Sequence, residues 1–155
     1  DIALGLRYVH GKGRCHGDIK PAKFDKNTTF VAKLADFGLS QAPLLRDGSV
    51  SCHRGTVRYM APEQFSNSSL DLQAVQRCDV WAYGLVLWEM ITCRGPFEGV
   101  EDLRIPLVIG ANNEFSHPAL PSECSGETLA NLLKRCWSAK SIHRPSMYQI
   151  CRTLI

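Results

Sequence analysis

No stretch of these 155 residues is apolar for long enough to cross a bilayer as a helix. The longest strongly apolar run covers only residues 80–88, against about 20 residues for a membrane span. The opening residues do not read as a secretory leader. There is no C-x-x-C pair, and the seven cysteines, at 15, 52, 78, 93, 124, 136 and 151, are odd in number. That pattern argues against a disulfide framework and against a zinc site, and for free thiols in a reducing compartment, hence a cytoplasmic protein. Charge of one sign is also lacking: the net charge is only +3 and the basic residues are scattered. No basic stripe marks a nucleic-acid surface. Internal repeats and low-complexity tracts are missing. What remains, 45% apolar and 21% charged, is an ordinary globular composition for one core.

The informative residues start at Cys15. Cys15-His-Gly-Asp-Ile-Lys-Pro21 places Asp18 and Lys20 on a loop punctuated by Gly17 and Pro21. An apolar, strand-like run over residues 30–35 ends in Asp36-Phe-Gly38. Phe24 and the run 30–35 can pair as a short β-hairpin around Asp25-Lys-Asn-Thr28. Two carboxylates and a lysine are thus offered on neighbouring loops, a set suited to phosphoryl transfer: one Asp orients a hydroxyl, the Lys neutralises a phosphate oxygen, and the other Asp holds Mg²⁺. Taken singly, each has a plainer reading. Asp18 and Asp36 read equally as turn aspartates, Lys20 as a solvated lysine, and Thr56 as an ordinary loop threonine.

Helical periodicity appears at Ile2, Leu6 and Val9, with Gly11 and Gly13 to stop it. No capping lead-in precedes this helix, which reads as cut inside. Residues 39–55 are polar and read as a long loop. Residues 66–76 read as a polar connector. The run 79–91 is apolar nearly all round, the mark of a buried helix, with Asp79 at its expected start among free backbone N–H groups. Gly95-Pro-Phe-Glu-Gly99 is a turn. Residues 100–109 read as a helix that Pro106 could kink, and 112–126 as loop. Residues 127–137 are amphipathic, with Leu129, Leu132, Leu133 and Cys136 on one face. Arg144-Pro-Ser146 opens a last helix, with Pro145 near its first position, where its missing N–H costs nothing.

The order of these motifs resembles that of the eukaryotic protein kinases. Asp18 and Asp36 stand eighteen residues apart. Gly55-Thr-Val-Arg-Tyr-Met-Ala-Pro-Glu63 resembles the end of an activation segment, where the acceptor strand docks. Asp79-Val-Trp81 resembles the start of the family's central buried helix, whose Asp holds the catalytic loop's backbone. Cys136-Trp137 and Arg144-Pro145 resemble the close of the tyrosine-kinase-like kinases. Lys20-Pro21 and residues 55–63 look like the Ser/Thr type rather than true tyrosine kinases. Small-molecule kinases share a His-Gly-Asp loop but nothing like residues 55–63.

The resemblance implies a mainly α fold over residues 1–155, a partial protein kinase domain: the C-terminal lobe, with the short β-hairpin at the catalytic loop and the N-terminal lobe absent. It implies Asp18 as catalytic base, Lys20 on a phosphate of ATP, Thr56 bonding both, and Asp36 as ligand of Mg²⁺. His16 and Phe37 would pack and set the loops, and Glu63 with Arg144 would form a buried ion pair. Partners would be a protein substrate or signalling partner, with no nucleic acid and no membrane span. The Gly-rich loop, the nucleotide-anchoring Lys and its Glu partner are not among these residues, so catalysis by them alone is not expected.

Three positions depart from the pattern. Gly17 replaces the Arg that would receive an activation-loop phosphate, so phosphorylation at Ser49 or Ser51 lacks that electrostatic partner. Lys23 stands where an Asn would ligate a second Mg²⁺, and an ammonium has no lone pair to offer. Lys23 would swing away or contact phosphate itself. Asp25 follows Phe24 where two apolar residues are usual. The alternative to an enzyme is therefore a pseudokinase scaffold or regulatory binding module.

Overall fold

The computed structural model describes residues 1–21, 34–35, 56–66, 69–110, 117–120 and 127–154. Its framework is helical: α1 (Ile2–Gly11), α2 (Leu72–Thr92), α3 (Ile105–Gly110), α4 (Glu127–Cys136) and α5 (Met147–Leu154). Short 3₁₀ turns cover Val57–Tyr59, Pro62–Phe65, Asp102–Arg104 and Ser141–His143. No strand occurs among the described residues. The expected hairpin falls on residues outside them, and Leu34 and Ala35 belong to neither helix nor strand.

Helix α2 is the axis of the core. From Cys78 to Val86 every side chain but Gly84's lack of one is buried, and Trp88 follows one turn on. No amphipathic stripe is needed because neighbours cover α2 on several sides. α4 packs on it through Leu132, Leu133 and Cys136, and the Ser141–His143 turn closes on it further along. α1 packs instead against α5. Ala3 and Leu6 are the buried residues of α1, and Met147, Ile150 and Cys151 those of α5, both at the i, i+3, i+4 spacing of one helical face.

Two expectations are corrected. α2 begins seven residues before Asp79, at Leu72, and its N-cap is Asp71, whose carboxylate accepts from Ala74 N at 2.7 Å. The supposed connector therefore contributes the first turn of the helix, and Asp79 lies inside it. The helix expected over 100–109 is divided: a 3₁₀ turn, Asp102–Arg104, precedes α3, and Pro106 falls in the first turn of α3, where its missing N–H has no partner to lose. Pro145 stands near the start of α5 as expected, two residues before Met147. Ser146 caps that helix: Ser146 N donates to Gln149 Oε1 at 2.8 Å and Gln149 N donates to Ser146 Oγ at 3.3 Å, a reciprocal capping box.

Among the described residues Cys78, Cys93, Cys136 and Cys151 are free thiols; Cys15, Cys78, Cys136 and Cys151 are buried and Cys93 is exposed. Burial pushes the Cys136 thiol up to about 12, leaving it a small apolar group rather than a nucleophile.

Gly84 of α2 lies against the end of α4 with no room for a side chain. A Cβ there would lie 2.8 Å from Cys136 Cβ and 2.8 Å from Trp137 Nε1. Alanine would gain about 1 kcal/mol of helix propensity, but overpacking a filled core loses about 1–3 kcal/mol. Gly84→Ala is expected to lower the urea unfolding midpoint; a midpoint at or above wild type would show that the interface yields.

Candidate active site

The site is built outward from Asp79. Its carboxylate is 2% exposed and sits in the second turn of α2. Oδ2 accepts from His16 N at 2.7 Å and Oδ1 from Gly17 N at 2.8 Å. His10 Nε2 donates to Oδ2 at 2.8 Å. His10 follows Leu6 by four residues, on the face of α1 that turns inward. A buried carboxylate left without donors would be costly; these three donors supply its partners and tie the 16–17 loop to the most buried helix. Gly17 has φ 84, a left-handed value natural to glycine, and its turn lets two successive N–H groups face one carboxylate.

Gln76, one turn earlier, secures the same region. Its Nε2 donates to His10 O at 3.2 Å and to Arg14 O at 2.9 Å. His16 is 2% exposed. Its Nδ1 accepts from Asp18 N at 3.3 Å, so Nε2 carries the hydrogen and donates to Ala35 O at 2.9 Å. This neutral tautomer joins the loop to the residue that precedes Asp36 in sequence. Packing by His16 is thus accompanied by two directed bonds.

Asp18, Lys20 and Thr56 come together. Thr56 N and Thr56 Oγ1 each donate to Asp18 Oδ1 at 2.9 Å. Lys20 Nζ donates to Asp18 Oδ2 at 2.7 Å and to Thr56 Oγ1 at 3.0 Å. The threonine hydroxyl therefore receives from the lysine and gives to the aspartate. A carboxylate has about four acceptor positions. Oδ1 is filled twice, and the remaining position lies on Oδ2, beside the ammonium. Lys20 is 43% exposed and can reach a ligand in solvent, whereas Asp18 is 9% exposed.

Burial acts to raise the Asp18 pKa, but the hydrogen bonds from Lys20 and Thr56, with the charge of Lys20, outweigh it and hold the carboxyl below its ordinary 3.8. Any stability drawn from this depression is fully present above the ordinary value and is lost as pH falls through the lowered one.

Glu63 and Arg144 form the expected ion pair, and it is bidentate: Nη1 to Oε1 at 2.6 Å and Nη2 to Oε2 at 2.8 Å. Arg144 also donates to Ser138 O at 3.0 Å and Arg77 O at 3.1 Å, and its guanidinium lies 5.0 Å from the Trp81 ring centre. Tyr59 OH donates to Glu89 Oε2 at 2.6 Å, and burial, then Glu89, pushes its pKa well above the usual range. Asp36, Lys23, Phe37, Ser49 and Ser51 lie outside the described residues. Among the described residues no three His, Cys, Asp or Glu side chains gather into a metal-binding group. No described helix is long and apolar enough to cross a membrane.

Sequence reasoning did not find His10, Gln76 or Arg58. His10 had a usable signal, its four-residue spacing from Leu6; the backbone partners of Gln76 and Arg58 leave no trace in side-chain pattern.

A mainly helical framework that holds an Asp-x-Lys loop by a carboxylate on its buried central helix is consistent with a kinase-like fragment. The profile described as protein tyrosine and serine/threonine kinase matches residues 1–154, and the chain belongs to that family, in its tyrosine-kinase-like branch. It is 35% identical over 154 residues to a probable LIM domain-containing serine/threonine-protein kinase of Dictyostelium discoideum, covering 99% of this chain and 22% of that protein. It is 34% identical over 154 residues to a serine/threonine/tyrosine-protein kinase of Arabidopsis thaliana, covering 99% of this chain and 37% of that protein. A third relative is mitogen-activated protein kinase kinase kinase 12 of Rattus norvegicus, 35% identical over 150 residues, 96% of this chain and 16% of that protein. The chain spans well under half the length of each.

Thr56→Ala removes the hydroxyl that bridges Lys20 and Asp18. The Asp18 carboxyl is expected to titrate at higher pH in the variant than in wild type, read by carboxyl-carbon NMR. An unchanged titration would mean that Thr56 does not hold this carboxylate.

Proposed function

We propose that this chain is the acceptor-side lobe of a protein serine/threonine kinase, in which Asp18, Lys20 and Thr56 are catalytic residues acting on ATP and a protein hydroxyl. The observation that carries the reading is the closed set of hydrogen bonds among those three side chains. The acceptor hydroxyl would take the open position on Asp18 Oδ2. Its oxygen attacks the γ-phosphorus, the bond to the β,γ-bridging oxygen breaks, ADP leaves, and the hydroxyl proton passes to Asp18. A carboxyl held below its ordinary range is a weak base. It orients the hydroxyl through the loose transition state and takes the proton late. Lys20, already beside Oδ2, would meet a γ-phosphate oxygen.

Asp36 is the residue proposed to hold Mg²⁺, its carboxylate being suited to a hard cation; the ion when bound neutralises phosphate charge. The bond from His16 to Ala35 O supports a place for it near Asp18. The partner is a protein substrate, and the compartment proposed is the cytoplasm, in keeping with the free thiols.

One observation favours a second reading. Lys23 occupies the position of the metal-binding Asn, which suits a pseudokinase that keeps the lobe as a scaffold for signalling partners. The two readings separate in the full-length protein. The kinase reading expects γ-phosphate transfer from Mg-ATP that falls by about 10²–10⁴ in Asp18→Asn. It also expects Lys23→Asn to alter the rate. A well-folded protein that transfers no more than its Asp18→Asn variant, before and after Lys23→Asn, would leave the scaffold.

A further inference from the structure

We infer that Arg58 is a positioning residue that latches the acceptor-docking segment to the turn after α2, rather than a charge that reads the acceptor. The inference rests on the phosphotransferase reading for its consequence, and on geometry for the latch.

Arg58 lies in the Val57–Tyr59 turn and is 30% exposed. Its charge is already engaged. Nη1 donates to Phe97 O at 2.9 Å and Pro96 O at 3.3 Å, Nη2 to Val100 O at 2.6 Å, and Nε pairs with Asp102 Oδ1 at 2.9 Å. Four of the five N–H groups of a guanidinium are used in this way. Three backbone carbonyls converge on one cation only because the chain turns sharply between residues 96 and 100.

That turn is strained. Phe97 has φ 56, a left-handed value that is an outlier for a bulky residue. Strain of this kind persists where surrounding structure over-determines it, and it gathers at functional sites. Here Pro96 is fully buried, Phe97 packs against the core, and Phe97 O accepts from both Val100 N, at 3.0 Å, and Arg58. Arg58 is thus the polar side of the restraint on Phe97. Because it spans both segments, Val57–Tyr59 and the 96–102 turn hold one relative placement. In the kinase reading the segment up to Met60 is where the acceptor strand docks, so this placement sets the acceptor platform and leaves the nucleotide side untouched. A lysine cannot replace it: one ammonium does not reach three carbonyls and a carboxylate in a fixed fork.

The test uses the full-length protein, with dephosphorylated casein as acceptor. Arg58→Ala is expected to speed hydrogen exchange at the Val100 amide by about tenfold and to raise the acceptor KM by about tenfold, while kcat and the KM for ATP stay within about threefold. Arg58→Lys should match the alanine variant, and carries the comparison if Arg58→Ala does not fold. Adding Phe97→Gly, which relieves the left-handed residue, should return both Val100 exchange and acceptor KM toward wild type. Unchanged Val100 exchange overturns the latch. Faster exchange with unchanged acceptor KM overturns the positioning role. A wild type that transfers no phosphate sinks the kinase reading and the acceptor consequence together, and the exchange measurement still decides the latch.

Discussion

One buried carboxylate sets the geometry on which the rest of this lobe depends. Asp79 takes its three donors from α1 and from the loop, not from its own helix. The loop that carries Asp18 therefore inherits the rigidity of α2, whose surroundings are filled and cannot shift cheaply. Charge-assisted bonds to backbone N–H groups are among the stronger hydrogen bonds. Gly17 belongs to this arrangement. Its loss of the family's arginine removes a receiver for phosphate, yet glycine is the residue for which φ 84 carries no side-chain strain. The loop is held in shape by backbone and carboxylate, with no modified residue required to hold it.

The second fixed point, Glu63 with Arg144, serves placement more than stability. Desolvating two charges consumes much of what their attraction returns, so a buried pair is weak evidence of stability, whereas removing one partner costs about 3–5 kcal/mol. What the pair does is join distant parts of the chain. It holds the Pro62–Phe65 turn against the entry to α5, with the guanidinium over Trp81 of α2. Thr56 is only seven residues from Glu63, so the segment that reaches Asp18 is anchored at its far end. Between these ends Tyr59 bonds Glu89 of α2 and Arg58 bonds the turn after α2. A short stretch with little regular structure thereby acquires four separate attachments.

The parts legible in the sequence were those with a local signature. The apolar run of α2, the face of α4 and the glycines after α1 each follow from periodicity or turn chemistry. The start of α2 did not. The apolar run pointed to Asp79 as the start, whereas Asp71 caps the helix; Asp79 lies inside it, where its carboxylate takes donors from distant segments. Distance in the chain also hid Gln76 and Arg58, whose partners are chiefly backbone atoms of remote turns, and His10, whose partner is the carboxylate of Asp79 69 residues away. Asp18 and Lys20 were singled out by the chemistry of their loop, and Thr56 was joined to them only through resemblance. Thr56 lies 36 residues from Lys20, and no local rule links them.

In the proposed kinase reading, the charge balance of the site would place the burden on residue 23. Asp18 and Lys20 are bonded to each other and together carry no net charge. They can orient a hydroxyl and contact one oxygen, but they cannot offset the several negative charges of a triphosphate. That offset must come from cations beyond the pair. An Asn at 23 would be a neutral ligand admitting a second divalent ion, while Lys23 adds a single positive charge and repels such an ion. At 4 Å and an effective dielectric of 20, one unit of charge against another amounts to about 4 kcal/mol, and each 1.4 kcal/mol or so of barrier is tenfold in rate. A side-chain cation in place of an ion thus changes the transition-state balance by about a thousandfold, as much as general-base catalysis of about 10²–10⁴ contributes. If the ammonium reaches the phosphates, part of that deficit is made good and the lobe can catalyse. If it turns to solvent, Asp18 and Lys20 keep their geometry with too little positive charge to use it, which is the condition of a scaffold that retains a kinase's form.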